Sequence, residues 1–185
     1  MTQYETIVAS AAAELQAAAT RVNEAELTTL MTTIAAAKHI ALHGVGREGL
    51  MMRALAMRLY HLGLDVHMVG DMSCPPVGPG DLLLVSAGPG EFATIAALVR
   101  VAHREGATTA CITAQPTGAV PKACDYILTI PAQTMADDQA PASVLPMGSL
   151  FEGAQFLVFE ILILRLRDHI GATPAAMRAR HTNLE

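Results

Sequence analysis

The sequence predicts a single α/β domain in which five parallel strands form a doubly wound, flavodoxin-like sheet with helices on both faces. Short continuous apolar runs alternate with helical segments, the pattern of a parallel sheet that is buried on both sides. A glycine-rich stretch, residues 44–49, joins the first apolar run to a helical segment. The chain has 185 residues and is 52% hydrophobic, which suffices for one well-buried domain and is short for two.

The elements follow in order along the chain. Residues 1–37 are rich in Ala, Leu, Glu and Gln and predict an N-terminal helical arm of one or two helices. Residues 38–185 then form the sheet domain, and a long C-terminal helix follows Gly148. The predicted strands are 40–43, 66–69, 81–86, 108–112 and 126–130, with helices at about 49–62 and 91–105.

Composition excludes several classes of partner. A net charge of −5 without any block of Lys or Arg argues against a nucleic-acid surface, and 4% aromatic residues give little for base stacking. The N-terminus carries acidic residues and no basic segment before an apolar run, so we expect a cytoplasmic protein without a secretory signal. Cys74, Cys111 and Cys124 lack the spacing of a zinc site and are expected to be reduced, with Cys111 in the core.

The segment 156–164 is apolar on nearly all sides of a helix. It is too short to cross a bilayer, so no membrane association is expected. A helix of this kind must be buried, and in a small domain another subunit often supplies the cover. The sequence therefore predicts a homo-oligomer, either a dimer or a tetramer.

Three loops that contain glycine, residues 44–49, 86–91 and 113–118, lie at the predicted carboxyl ends of strands, where open parallel sheets bind ligands. The first glycine loop, residues 44–49, would leave backbone N–H groups at a helix N-terminus for an anion or a polyhydroxylated ligand. Its spacing also matches a dinucleotide fingerprint, with Asp71 about 20 residues on as the ribose ligand. The second glycine loop, residues 86–91, favours instead a small ligand held between the two loops.

Five segments resemble a known family: residues 44–50, 56–63, 80–83, 148–152 and the C-terminal Arg180-His181-Thr182-Asn183-Leu184-Glu185. On these segments the chain resembles the sugar isomerase (SIS) domain family and, within it, the 6-phospho-3-hexuloisomerase group. The resemblance implies a sugar isomerase that uses neither a metal nor a redox cofactor and acts on a small sugar or sugar phosphate, converting hexulose 6-phosphate to fructose 6-phosphate.

The resemblance also implies roles for individual residues. Such an isomerase removes a proton from the carbon next to a carbonyl and returns it to the neighbouring carbon through an enediol, and one carboxylate can do both. That carboxylate would be Glu152, and His61 would assist ring opening or protonate an oxygen. The alternatives are a Glu that complements a helix dipole and a histidine packed in an interface.

Substrate contacts are expected from both glycine loops and from two later segments. His181 and Asn183 would reach the site of a neighbouring subunit, unless the tail simply docks on its own chain. Arg47 would bind an anion or hydroxyl through its planar guanidinium. The expected substrate-binding residues are Gly46, Arg47, Glu48, Ser86, Gly88, Gly90, Thr94, Ser149 and His181.

The ligand loops depart from the family they resemble. The typical first loop carries serine at the position of Glu48, and the typical second loop reads Ser-Gly-Ser-Gly-Glu-Thr and holds the phosphate. Here the second loop reads Ala87-Gly88-Pro89-Gly90-Glu91-Phe92. Its hydroxyls are gone, Pro89 lacks a backbone N–H, and Glu48 adds a negative charge that repels phosphate.

Three hypotheses follow from these departures. The protein is an isomerase of a phosphorylated ketohexose with a changed grip, an isomerase of an unphosphorylated or cationic sugar, or a sugar-binding module without catalysis. For the first hypothesis, Glu48 should turn away from the pocket while Ser86, Arg47 and backbone N–H groups converge on one anion. For the second, replacing Glu152 should abolish exchange of solvent deuterium into the sugar.

Overall fold

The computed structural model describes residues 2–138 and 143–184. Its helices and strands alternate after two initial helices, as the apolar pattern predicts. In chain order they are α1 (Gln3–Thr20), α2 (Glu24–Ala36), β1 (Ile40–Gly44), α3 (Gly46–Leu62), β2 (Val66–Met68), β3 (Leu82–Ser86), α4 (Ala93–Arg104), β4 (Thr108–Thr113), α5 (Ala119–Lys122), β5 (Tyr126–Thr129), α6 (Ser149–Ile170) and α7 (Pro174–Ala179).

The five strands form one parallel sheet in the order β2-β1-β3-β4-β5. This is the flavodoxin-like order, so the predicted fold class is confirmed. The order reverses between β1 and β3, which lie side by side with Gly44 opposite Ser86. The two glycine loops follow these strands and therefore meet at the switch point, where α/β proteins bind ligands.

Side chains alternate between the two faces of the sheet because successive strand residues point to opposite sides. Leu42, Leu84 and Ile112 pack with α1, α2, α3 and α6 in the larger core. Leu83 and Cys111 pack with α4 in the smaller core on the other face. Helices therefore cover both faces, and Cys111 is fully buried as predicted.

One helix boundary and one short helix differ clearly from prediction, while the ends of the predicted strands and of α4 shift by at most two residues. Helix α3 begins at Gly46 and not at Gly49, so Arg47 and Glu48 lie in its first turn. Gly44 and Gly49 allow this early start, because a Cβ on Gly49 would lie 2.5 Å from the Gly44 carbonyl oxygen. Helix α5 was not predicted, since four residues including Pro121 are too short to give a periodic pattern.

Helix α6 is the long C-terminal helix that the sequence predicts. One side packs into the larger core, including Phe151, Phe159 and Leu162. Its other apolar side chains are only partly covered within the chain, with 39–48% of their surface exposed: Phe156, Leu157, Ile161 and Leu164. None of the helices in the described ranges is long and apolar enough to span a membrane.

Candidate active site

A cavity of about 230 Å³ opens at the carboxyl ends of β1 and β3, between the N-terminal turns of α3 and α6. Both helices direct the positive ends of their dipoles toward it. The cavity combines three charged side chains with an apolar wall. Its lining consists of Val45, Gly46, Arg47, Glu48, Pro89, Phe92, Thr134, Met135, Gly148, Phe151 and Glu152.

Glu48 points inward, toward the second glycine loop. Its Oε2 accepts a hydrogen bond from Ser86 Oγ at 2.5 Å and one from the Gly88 backbone N–H at 2.9 Å. Only 8% of the residue is exposed. Ser86 ends β3 opposite Gly44, so the register of the sheet brings its hydroxyl beneath the first turn of α3. The hypothesis of a phosphorylated substrate requires Glu48 to turn away from the pocket, and the structure does not meet this condition.

A buried amide fixes the other side of Ser86. Gln155 Nε2 donates to Ser86 Oγ at 2.8 Å, and the serine hydroxyl donates in turn to Glu48. Both Ser86 and Gln155 are fully buried. Ser86 therefore accepts a hydrogen bond from the amide through one of its two lone pairs and donates its single hydrogen to the carboxylate, which can only accept.

Burial raises the pKa of Glu48 above its ordinary value of 4.5, and the neighbouring Glu152 carboxylate raises it further. The hydrogen bonds from Ser86 and Gly88 oppose this by stabilising the charged form. Glu48 is thus a partly desolvated carboxyl group whose charge is supported by two donors of the second glycine loop.

Glu152 lies in the first turn of α6 and forms an ion pair with Arg47 across the cavity. The Glu152 side chain is 14% exposed and that of Arg47 is 68% exposed. The carboxylate is therefore sheltered but reachable from the cavity, while the guanidinium covers it from the solvent side. A carboxylate in this position can accept a proton from a ligand that fills the cavity.

Sequence comparison places the chain in a family. A sequence profile of the SIS domain matches residues 33–157. The chain is 34% identical over 172 residues to a protein of Mycobacterium gastri named 3-hexulose-6-phosphate isomerase, covering 93% of this chain and 86% of that relative. The chain belongs to the SIS domain family. The resemblance to this family is therefore confirmed.

Two other SIS proteins extend the comparison. A Bacillus subtilis relative, also named 3-hexulose-6-phosphate isomerase, is 33% identical over 175 residues, covering 93% of this chain and 94% of its own. A crystal structure from Methanococcus jannaschii, described as inferring a 3-hexulose-6-phosphate isomerase function, superposes with a TM-score of 0.81 over both complete chains at 26% identity. The name 3-hexulose-6-phosphate isomerase is a synonym of 6-phospho-3-hexuloisomerase.

The SIS fold of this chain does not bring His61 and His181 to the cavity. Helix α3 starts at the cavity and carries His61 in its last turn, about 20 Å from Glu48 at 1.5 Å per residue. The His61 and His181 rings stack there with centroids 5.4 Å apart. Arg180 also donates to the His61 carbonyl at 3.2 Å, so the tail docks on the end of α3 within its own chain.

The remaining expected contacts divide into two groups. Gly46 and Arg47 line the cavity with Glu48, and Ser86 and Gly88 reach it through that carboxylate. Three others are absent from the lining among the described residues. Gly90 donates its N–H to the Ala87 carbonyl, Thr94 is exposed on α4, and Ser149 follows the lining residue Gly148.

The expected site residues omit several residues around the cavity, among them Thr134, Met135, Phe151 and Gln155. Gln155 had a usable signal, since it is a polar residue one helical turn after Glu152 and is followed by the apolar residues Phe156, Leu157, Val158 and Phe159. Thr134 and Met135 lie in an irregular segment before α6, and no local pattern relates such a segment to a distant cavity.

One group of potential metal ligands occurs within the part of the chain that the structure describes: His39, Asp65 and His67. Asp65 is hydrogen-bonded to His39 Nδ1 at 2.5 Å and to His67 Nε2 at 2.8 Å. The bond to His39 is the main cause that lowers the Asp65 pKa. These residues lie at the N-terminal ends of β1 and β2, opposite the cavity, and take no part in the candidate active site.

Proposed function

We propose that this protein is a sugar isomerase that moves the carbonyl group of a ketohexose by one carbon. The observation that carries the proposal is the Glu152 carboxylate, sheltered at a cavity in a SIS-family fold and paired with Arg47. Relatives at 33–34% identity over 93% of the chain bear the name of such an isomerase.

In the proposed reaction, Glu152 removes the proton from the carbon beside the carbonyl. The C–H electron pair forms the carbon–carbon double bond, the carbonyl π pair moves onto oxygen, and that oxygen becomes the hydroxyl of an enediol by taking a proton from solvent, to which the neighbouring hydroxyl later gives one back. Glu152 then returns the proton to the former carbonyl carbon, while the neighbouring hydroxyl loses its proton and becomes the new carbonyl. The number of protons and electrons is unchanged, so no external oxidant or reductant is required.

Arg47 has two roles in this proposal. Its ion pair holds the Glu152 carboxylate in one orientation, which fixes the acceptor for proton transfer. The guanidinium also carries further N–H donors that can bind a hydroxyl or the developing enediolate oxygen. Glu152 is the proposed base, and Arg47 positions it.

Two substrate classes fit this chemistry. Hexulose 6-phosphate, converted to fructose 6-phosphate, is the class that the names of the relatives suggest. An unphosphorylated ketohexose is the second class, and the inward orientation of Glu48 favours it, because the Ser86 hydroxyl and the Gly88 N–H already serve a carboxylate.

We also propose that the protein is a homo-oligomer, either a dimer or a tetramer. Phe156 and Leu164 on α6 are nearly half exposed in the single chain. A subunit contact there would bury them, and His61 and His181 can serve a cavity only on another subunit. Sedimentation equilibrium tests this proposal by measuring the molar mass in solution. Leu164→Glu should give a smaller mass than the wild type, and a monomeric wild type would contradict the proposal.

Turnover of a panel of free and 6-phosphorylated hexuloses, followed by NMR, tests the isomerase proposal. Glu152→Gln should lower kcat by about a thousandfold or more, since it removes the base. Glu160→Gln is the matched control, because Glu160 lies two turns along the same helix and pairs with Arg58 outside the cavity. Sugars that raise the melting temperature without any turnover would instead support a binding module.

A further inference from the structure

The Glu48 carboxylate accepts the hydrogen bonds with which the second glycine loop would hold an anion. The Ser86 hydroxyl and the Gly88 N–H both converge on one oxygen, Glu48 Oε2. Gln155 holds Ser86 in this orientation from behind. The protein therefore contains, in its own chain, the negative group that this loop would otherwise take from a ligand.

The loop is shaped around this carboxylate. A Cβ on Gly88 would lie 2.8 Å from both Glu48 Oε1 and Phe151 Cε1, so glycine at this position leaves space for the carboxylate and the aromatic ring. Four interacting residues are involved, and Glu48, Ser86 and Gln155 are all buried. Turning Glu48 outward would leave the Gly88 N–H and the Ser86 hydroxyl without an acceptor, which makes that movement costly.

The side-chain charges of the cavity also oppose a phosphate ester. Two carboxylates, Glu48 and Glu152, face one guanidinium, and that guanidinium is paired with Glu152. A phosphate monoester near neutral pH carries about −1.5 to −2 charges and mainly acceptor oxygens. A sugar hydroxyl carries a donor, and within the described residues no hydrogen bond reaches the second oxygen of the Glu48 carboxylate, Oε1.

We propose that the cavity takes an unphosphorylated ketose, with a substrate hydroxyl donating to Glu48 where a phosphorylated sugar would place its phosphate. This inference rests on the proposed isomerase function for the identity of the ligand as a sugar. Glu48 then acts as the specificity-determining residue, because it supplies an acceptor for a hydroxyl and repels a phosphate.

Matched pairs of ligands test the inference by isothermal titration calorimetry on the full chain. The probes are the four D-2-ketohexoses and their 6-phosphates. The variants are Glu48→Ser, which replaces the carboxylate by a small hydroxyl, and Glu48→Gln, which removes the charge at nearly constant size. Glu105→Gln is the control, since it removes one charge on the exposed end of α4, away from the cavity.

The wild type and Glu105→Gln should bind at least one free ketose at least about tenfold more tightly than its 6-phosphate. Glu48→Ser and Glu48→Gln should each shift that ratio toward the phosphate by about tenfold or more. A wild type that prefers the 6-phosphate, or a ratio unchanged in both Glu48 variants, would overturn the inference. Failure of all four free ketoses to bind would overturn it as well.

Turnover with the same ligands separates this inference from the proposed function. A wild type that binds free ketoses preferentially but isomerises none of them would retain the inference and remove the isomerase proposal. A wild type that isomerises only 6-phosphates would retain the isomerase proposal and overturn the inference.

Discussion

Arg47, in the first turn of α3, forms an ion pair with Glu152, in the first turn of α6. The pair connects the two helices whose N-termini face the same cavity. Negative charge at a helix N-terminus is favoured by the helix dipole, which stabilises Glu152 where it lies. The carboxylate keeps 14% of its side chain exposed, so in the proposed reaction one contact both orders the site and prepares Glu152 for proton transfer.

Replacing Arg47 should impair catalysis more than binding. Arg47→Gln removes the ion partner that orients Glu152, and kcat should fall by about ten- to a hundredfold with a smaller change in KM. Steady-state kinetics on the best substrate of the panel measures this. Arg58→Gln is the control, since Arg58 joins the same two helices through Glu160 outside the cavity. Equal effects of the two variants would contradict a specific role for Arg47.

Ser86 should matter for stability as well as for the site. Ser86→Ala removes the donor to Glu48 and the acceptor of Gln155, both buried, and should lower the free energy of unfolding by about 1–3 kcal/mol. Urea denaturation measures the change. In the control Thr32→Ala, an exposed hydroxyl bonded within α2 is lost, which should cost less than about 0.5 kcal/mol. A Ser86 variant as stable as this control would contradict this role of Ser86.

The raised pKa of Glu48 predicts a pH dependence of stability. The folded protein holds the Glu48 proton more tightly than the unfolded chain does. Protonation of Glu48 therefore contributes fully to the free energy of unfolding below about pH 4.5, and this contribution is lost as pH rises through the pKa of Glu48 in the folded protein. Urea unfolding of the wild type and of Glu48→Gln should be compared at several pH values from 4 upward. The stability of the wild type relative to the variant should fall with pH and then level off; an increase with pH would contradict the assignment.

The first glycine loop should tolerate no side chain at its end. In Gly49→Ala the new Cβ would meet the Gly44 carbonyl oxygen at 2.5 Å, and the free energy of unfolding should fall by roughly 2 kcal/mol or more. Gly78→Ala is a suitable control, because its Cβ would find nothing closer than 3.9 Å. Thermal unfolding distinguishes the two variants. Similar melting temperatures for both would mean that the close approach of strand and helix is unimportant.

Much of the fold is predictable because it depends on local patterns. The apolar runs around Leu42, Leu84 and Ile112 gave the strands, and glycine placement marked the loops between them. The predicted start of α3, at Gly49, is three residues too late. The glycines before it are typical of a loop, although they also permit a helix directly after the strand.

The candidate site is predictable only in part. Glu152 and Arg47 were singled out, but the sequence did not show that they pair. The direction of Glu48 depends on the register that sets Ser86 opposite Gly44, which is a relation between strands about 40 residues apart. Glu152 and His61 were grouped by resemblance, although the 17 residues of α3 separate them within one chain.

Solvent deuterium incorporation tests the central claim, proton transfer by Glu152, most directly. The wild type, Glu152→Gln and Glu160→Gln should each be incubated in D₂O with the best ketose of the panel, and carbon-bound deuterium measured by NMR. The proposed enediol route predicts that deuterium enters at the two carbons between which the carbonyl moves, both in the wild type and in Glu160→Gln. In Glu152→Gln, deuterium should enter no faster than in the uncatalysed reaction. Undiminished deuterium uptake in Glu152→Gln would contradict it.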